Sequence, residues 1–269
     1  MPNEKIGSLN LYWERTENQN GAPLLVISGT GSDLRRKPNF FDSPLVKSFD
    51  VASYDQRGLG QSDKPTPDYS MADYADDAAA MLDHLGWENV NVIGVSFGGM
   101  VAQHLALRHP HKIKNLVLAC TSPGGAGGAS YPLHEVADME PLARAEKMLP
   151  LYDTRQTPDW IKDNPDIYQM MIKFMTDDPY ADEEGRHEGA LKQLKARSAH
   201  DCWDEFANIK CPVFLAAGKF DAVARPQTQQ AMLSRLPNAK FKLYEGGHLF
   251  LLQDAQAYKD ITAFFLDNA

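Results

Sequence analysis

The six residues Gly94-Val95-Ser96-Phe97-Gly98-Gly99 constrain this chain more than any others. They follow the apolar run Val90-Asn91-Val92-Ile93 and open a helix-forming segment. A strand that turns at once into a helix brings backbone against backbone. The positions two before and two after the apex must then lack a side chain. Gly94 and Gly98 stand there, and Ser96 stands at the apex. Its backbone is forced into strained geometry, with its hydroxyl clear of the sheet edge. Strand, G-x-S-x-G and helix together predict a nucleophile elbow.

A lone G-x-S-x-G is only a turn in many proteins, so its downstream partners matter. Pro212-Val213-Phe214-Leu215-Ala216-Ala217 reads as a buried strand, followed by Gly218-Lys219-Phe220-Asp221. Phe241-Lys242-Leu243-Tyr244 is another strand, followed by Glu245-Gly246-Gly247-His248. In a doubly wound sheet, functional groups gather on loops at the carboxyl ends of strands. Three such loops would bring Ser96, Asp221 and His248 to one edge as nucleophile, orienting acid and base. Asp55 and Asp63 lie in a loop where turn or salt-bridge roles are expected. Glu245 is expected to point along its strand end.

Ser96, Asp221 and His248 follow the chain order of the α/β-hydrolases, and other motifs extend the resemblance over nearly the whole chain. Asp55-Gln56-Arg57-Gly58-Leu59-Gly60-Gln61-Ser62-Asp63 resembles the family's D-x-R-G-x-G-x-S-D loop. Pro110-His111-Lys112-Ile113 before Leu116-Val117-Leu118 resembles its P-x-x-V-x-x-L-V-L segment. Within the family the chain is similar to the 3-oxoadipate enol-lactonase and cofactor-free haloperoxidase/esterase groups. Ser28 stands where many relatives carry His. The resemblance implies an α/β-hydrolase fold, a doubly wound, mostly parallel sheet with an inserted helical cap. It implies a serine hydrolase that needs no cofactor and no metal. Arg57 is expected to brace its own loop, as that residue type does in relatives.

The alternation of strand and helix patterns fits this fold. Strands are expected at Leu9–Glu14, Leu24–Ile27, Val51–Tyr54, Val90–Ile93 and Leu116–Ala119, before those at Pro212 and Phe241. Ser70 can cap a helix over Met71–Leu85, ended by Gly86, and a second helix runs from Gly98 to Arg108. From Thr121 to about Glu205 no strand pattern appears. Pro123-Gly124-Gly125-Ala126-Gly127-Gly128 reads as a flexible hinge. Helices are expected to start at Asp138, at Thr157-Pro158, at Pro165 and again from Gly185 to Ala199. The boundaries expected are therefore 1–121 and 206–269 for the core and 122–205 for the cap.

Gly29-Thr30-Gly31 after the strand at Leu24 lacks the third glycine of a dinucleotide loop, because Leu34 stands there. An oxyanion hole fits better, made from the amides of Thr30 and Phe97, although a purely structural turn is an open alternative. Gly29, Trp160, Met171, Phe174, Val223 and Leu249 are expected to line the substrate pocket. The Met- and aromatic-rich insert suits an apolar roof.

Ser96 excludes the carboxylate-nucleophile chemistry of dehalogenases and epoxide hydrolases and suits acyl transfer. The expected substrate is a small, largely apolar ester or lactone, with water as co-substrate. An enol-lactone, a vinylogous C–C bond or a non-enzymatic binding role stay open. A net charge of −9 argues against nucleic-acid or anionic-membrane partners. Cys120, Cys202 and Cys211 are too widely spaced to suggest a metal cluster and read as reduced thiols. The N-terminus lacks a basic-then-apolar leader, so a cytoplasmic location is expected.

Overall fold

A computed structural model describes residues 3–18 and 20–268. Strands β1 (Glu4–Ile6) and β2 (Leu9–Leu11) form a small antiparallel ribbon. The main sheet contains β3 (Trp13–Arg15), β4 (Ala22–Ile27), β5 (Phe49–Tyr54), β6 (Val90–Val95), β7 (Ile113–Ala119), β8 (Val213–Gly218) and β9 (Ala239–Tyr244). Its spatial order is β3-β5-β4-β6-β7-β8-β9. Edge strand β3 runs antiparallel to β5, and every other pairing is parallel. The single strand expected over Leu9–Glu14 is thus two strands in two sheets. They part at Tyr12, whose amide donates to the Ser62 hydroxyl and whose carbonyl accepts from Asp55.

The central strands are apolar on both faces because helices cover both. Leu25, Ile27, Val92, Leu116, Leu118 and Leu215 pack on one side with α1 (Met71–His84) and α2 (Phe97–Arg108). Leu24, Val26, Ile93, Val117, Phe214 and Ala216 pack on the other, with Ile261, Phe264 and Phe265 of the C-terminal helix. The period of two in each strand divides the core into two layers. Ser70 caps α1 as expected: its hydroxyl accepts the Asp73 amide, and the Asp73 carboxylate accepts the Ser70 amide.

Between β7 and β8 the chain is helical: α3 (Pro141–Tyr152), α4 (Pro158–Asp163), α5 (Pro165–Thr176) and α6 (Arg186–Ser198). The first of these starts at Pro141, not at Asp138. Proline at the first helical position lacks only an amide that would have no intrahelical partner there. The remaining helices are α7 (Pro226–Ala231), α8 (Phe250–Gln253) and α9 (Ala255–Asp267). The glycine-rich segment expected as a flexible hinge is a close-packed turn. A Cβ on Gly124 would overlap the His200 carbonyl, and one on Gly127 would overlap the Trp203 ring. A β-bridge joins Gly124 to Asp201. These glycines let the two ends of the insert touch. Among the described residues no helix is long and apolar enough to cross a membrane.

Candidate active site

Ser96 sits between β6 and α2 with φ 55° and ψ −115°, a conformation strained for any residue with a side chain. The surrounding glycines explain how it is tolerated. A Cβ on Gly94 would overlap the Gly98 carbonyl, and one on Gly98 would overlap the Ile27 carbonyl at the end of β4. Strand, turn and helix therefore close on each other only with hydrogen at these two positions.

The loops after β8 and β9 bring Asp221 and His248 to Ser96. His248 Nδ1 lies 2.7 Å from Asp221 Oδ2, and its Nε2 lies 3.0 Å from Ser96 Oγ. The buried Asp221 carboxylate accepts a hydrogen bond from Nδ1–H, which leaves Nε2 free to accept the serine hydroxyl. The other Asp221 oxygen accepts the amides of Val223 and Ala224, each at 2.8 Å. These bonds fix the carboxylate plane, and with it the ring.

The rival acids have structural partners. Asp55 accepts the amides of Leu34 and Gln61, Asp63 accepts that of Asn10, and Glu245 pairs with Lys219. Arg57 reaches beyond its loop to grip Asp77 of α1 through Nε at 2.6 Å and Nη2 at 2.7 Å. Its charge is consumed there.

A Cβ on Gly29 would lie 3.5 Å from the Ser96 Cβ, so the loop after β4 runs beside the nucleophile. The Thr30 amide donates to no acceptor among the described residues. Phe97 heads α2, where an amide has no intrahelical acceptor. Gly31 is held from across the molecule: its amide donates to Gln193 Oε1 of α6 at 2.9 Å.

The expected pocket residues separate. Val223 is buried against Val136 and Met148 of the insert. Trp160 and Met171 are half-buried, and the Met171 sulfur faces the Gln156 amide. Leu249 is 45% exposed beside His248. Phe174 is 55% exposed and lies under the Arg36 guanidinium, on a surface groove with Arg35, Lys37 and Tyr180. Arg36 also donates to the Phe174 and Asp177 carbonyls and so holds the end of α5 against the loop after β4.

Sequence spacing missed three groups. Tyr152, at the end of α3, lies against His248 with ring centroids 5.7 Å apart and the ring planes tilted by 40°. Gln193 and Arg197 belong to a buried stripe of α6 formed by Arg186, Gly189, Gln193 and Arg197. Their spacing is helical, but polar residues on a polar helix look like a solvated face. The fold also gathers His104, His200 and Cys202, whose ligand atoms lie within 4.8 Å of one another, although the spacing suggested no cluster. His200 Nε2 donates to the Ser122 carbonyl at 2.9 Å, and its Nδ1 lies 3.2 Å from His104 Nε2. A chain of hydrogen bonds satisfies that pair.

Comparison with known proteins identifies the family. A poly(3-hydroxyalkanoate) depolymerase of Ectopseudomonas oleovorans is 29% identical over 91% of this chain and 84% of its own length. 3-Oxoadipate enol-lactonase 2 of Acinetobacter baylyi is 24% identical over 77% of this chain and 75% of its own. The crystal structure of the enol-lactonase from Burkholderia xenovorans LB400 superposes with a TM-score of 0.79 at 25% identity, covering 99% of this chain and all of that one. The family profile described as alpha/beta hydrolase fold matches residues 22–255, and the chain belongs to that family.

Proposed function

We propose that the protein is a serine hydrolase that cleaves a small carboxylic ester or lactone through an acyl-enzyme. The observation that carries this reading is the relay from Asp221 through His248 to Ser96, with its 2.7 and 3.0 Å contacts. His248 Nε2 takes the Ser96 proton as Oγ bonds to the acyl carbon. The carbonyl oxygen becomes an oxyanion, which accepts hydrogen bonds from the Thr30 and Phe97 amides. The intermediate collapses, the C–O bond to the leaving group breaks, and His248 returns its proton to the departing alkoxide. Water then repeats the sequence and frees Ser96. Asp221 stabilises the imidazolium that forms in each half. This chemistry calls for no cofactor beyond water.

Residues 122–205 serve as the cap over this site, on a core of 1–121 and 206–269. Support comes from the helical content of the insert and from its contacts to both strand-end loops. Fluorophosphonate should label Ser96, and 4-nitrophenyl acetate should turn over. Ser96→Ala or His248→Ala should lower kcat by about 10³-fold or more. Full turnover by Ser96→Ala would end this reading.

A second reading narrows the first to an enol-lactone. The enol-lactonases among the similar proteins favour it. The motif loops offer no cation for the carboxylates of such a substrate: Arg57 is expected from the sequence to brace its own loop, and in the structure it is committed to Asp77.

A further inference from the structure

The buried face of α6 crosses the loops at the carboxyl edge of the sheet. Arg186 pairs with Asp33 at 2.8 Å, a Cβ on Gly189 would overlap the Gly58 carbonyl, and Gln193 accepts the Gly31 amide. One turn further, about 6 Å along the axis, comes Arg197. This stripe leads from the β4 loop past the oxyanion amide at Thr30.

Arg197 is 5% exposed. Its Nη1 donates to the Tyr131 carbonyl at 2.8 Å and its Nη2 to the Ser130 hydroxyl at 2.6 Å. Both acceptors are neutral. Its Nε is buried with no acceptor, and among the described residues no carboxylate pairs with it. The other buried arginines differ: Arg57 has Asp77, and Arg186 has Asp33 and Asp178. Burial pulls the Arg197 guanidinium down to about 10. A buried cation without a counter-ion is costly, and stays in a fold only where something offsets it.

The surroundings place this cation beside the triad. Tyr131, which accepts from Arg197, donates its own amide to the Val223 carbonyl, and the Val223 amide donates to Asp221. Arg197 also acts on the buried Tyr152 hydroxyl, opposing the rise that burial causes. Tyr152 in turn lies against His248. On the other side, one turn back, Gln193 has a buried Nε2 with no acceptor. Two unsatisfied donors, a guanidinium N–H and an amide N–H, thus lie one turn apart on the buried face of α6, which holds the Gly31 amide at one position and the Tyr131 carbonyl at the other.

We propose that Arg197 binds a free carboxylate on the substrate, with Gln193 Nε2 as a second donor. The substrate class is then a small ester or lactone carrying one carboxylate besides the scissile acyl group. This rests on the serine-hydrolase reading and supplies the cation missing from its enol-lactone form. It replaces a largely apolar substrate with an anionic one.

Two matched pairs test it. Mono-4-nitrophenyl glutarate against 4-nitrophenyl butyrate puts the charge on the acyl side. 4-Acetoxybenzoate against 4-acetoxybenzamide puts it on the leaving side. In the wild type, kcat/KM should favour the acid in at least one pair by about 10- to 100-fold. Arg197→Gln should collapse that ratio to within about threefold of unity, and Arg197→Lys should keep an intermediate value. Glutarate should raise the wild-type melting temperature and inhibit butyrate hydrolysis competitively, and both effects should vanish in Arg197→Gln. Equal turnover of acid and neutral partners in both pairs, or a preference that survives Arg197→Gln, would overturn the proposal and leave Arg197 as a strap on Ser130 and Tyr131. Should Arg197→Gln fail to fold, the lysine variant and the wild-type ratios decide. Failure of the hydrolase reading looks different: no ester turns over, while glutarate still shifts the melting temperature.

Discussion

The Tyr152 carbonyl accepts the backbone N–H of His248 at 2.6 Å, while the Tyr152 ring lies 5.7 Å from the imidazole. The last turn of α3 and the residues after it make two more bonds of this kind. Ala222 donates to the Leu151 carbonyl at 3.0 Å, and Thr154 donates to the Phe220 carbonyl at 2.9 Å. The insert therefore holds both the Asp221 loop and the His248 loop by main chain. Sequence alone suggested a lid on a flexible glycine hinge. The structure shows a packed turn at the hinge and a segment stitched to the loops that carry acid and base.

Gly247 is the point where this stitching admits no side chain, because a Cβ there would overlap the Tyr152 carbonyl. Gly247→Ala should push the two chains apart and cost about 1–3 kcal/mol of stability. It should also tilt His248, so kcat on 4-nitrophenyl acetate should fall at least tenfold. Urea unfolding and steady-state kinetics check both. A variant with wild-type stability and rate would mean that the contact is easily relaxed.

Excision of residues 122–205 should then remove more than a cover. The shortened chain loses the acceptors for Ala222 and His248, and fluorophosphonate labelling of Ser96 should slow by about 10²-fold or more. The labelling rate, beside near-UV circular dichroism, measures this. A truncated protein that labels at the full rate would show that the core aligns these groups unaided.

What could be read from sequence was local. The strand-to-helix turn at Ser96 is written in the Gly94 and Gly98 contacts, and the strands before Asp221 and His248 in short apolar runs. Three loops at one sheet edge follow from the topology once the family is recognised. What could not be read depends on tertiary packing of polar residues. Gln193 reaches Gly31 across 162 positions of sequence, and Arg197 is buried on a helix with few apolar residues. Phe174 shows the converse: a large apolar residue on an amphipathic helix that is exposed, with the Arg36 guanidinium over its ring. His104 and His200 meet only because the end of the insert returns to α2.

Those two histidines should make the protein acid-sensitive. Burial pushes His104 down to about 4 and His200 down to about 3. In the unfolded chain each ring takes its proton near pH 6.5. Between about pH 6.5 and pH 4 the unfolded state binds more protons, so stability falls as pH drops through that window. Each ring accounts for up to about 2 kcal/mol between pH 7 and pH 5. Urea midpoints at the two pH values should show the loss, and His104→Gln should reduce it. An equal loss in the variant would assign the sensitivity elsewhere.

A second acid transition should follow at lower pH. Burial alone would raise the Asp33 carboxyl, but hydrogen bonds from Arg35 and Arg186 outweigh it and hold it down to about 2. A depressed carboxylate stabilises above its unfolded value near 3.9, and that contribution is lost as pH falls toward 2. It is of the order of about 2 kcal/mol. Because Arg186 belongs to α6, this transition should loosen the insert from the β4 loop. Hydrogen exchange of α6 amides at pH 5 and pH 3 would reveal it, and Asp33→Asn should abolish the difference. Unchanged protection at pH 3 would contradict the link.

Gln193 should act on rate and not on affinity. Its Oε1 holds the Gly31 amide, one residue from the Thr30 amide proposed to receive the oxyanion. Gln193→Leu removes the side-chain acceptor of the Gly31 N–H and frees the loop to turn. Loss of one oxyanion donor costs about 10²–10³ in kcat, so a misdirected donor should cost about 10- to 100-fold. With 4-nitrophenyl acetate, which has no carboxylate for Arg197, KM should change less than about threefold. Gln193→Glu keeps an oxygen for Gly31 and sets its charge one turn from Arg197, so it should restore kcat to within about fivefold. A purely structural role would lower stability in both variants while leaving the kcat of the folded fraction untouched. Active-site titration with fluorophosphonate, which counts folded enzyme, separates the two outcomes.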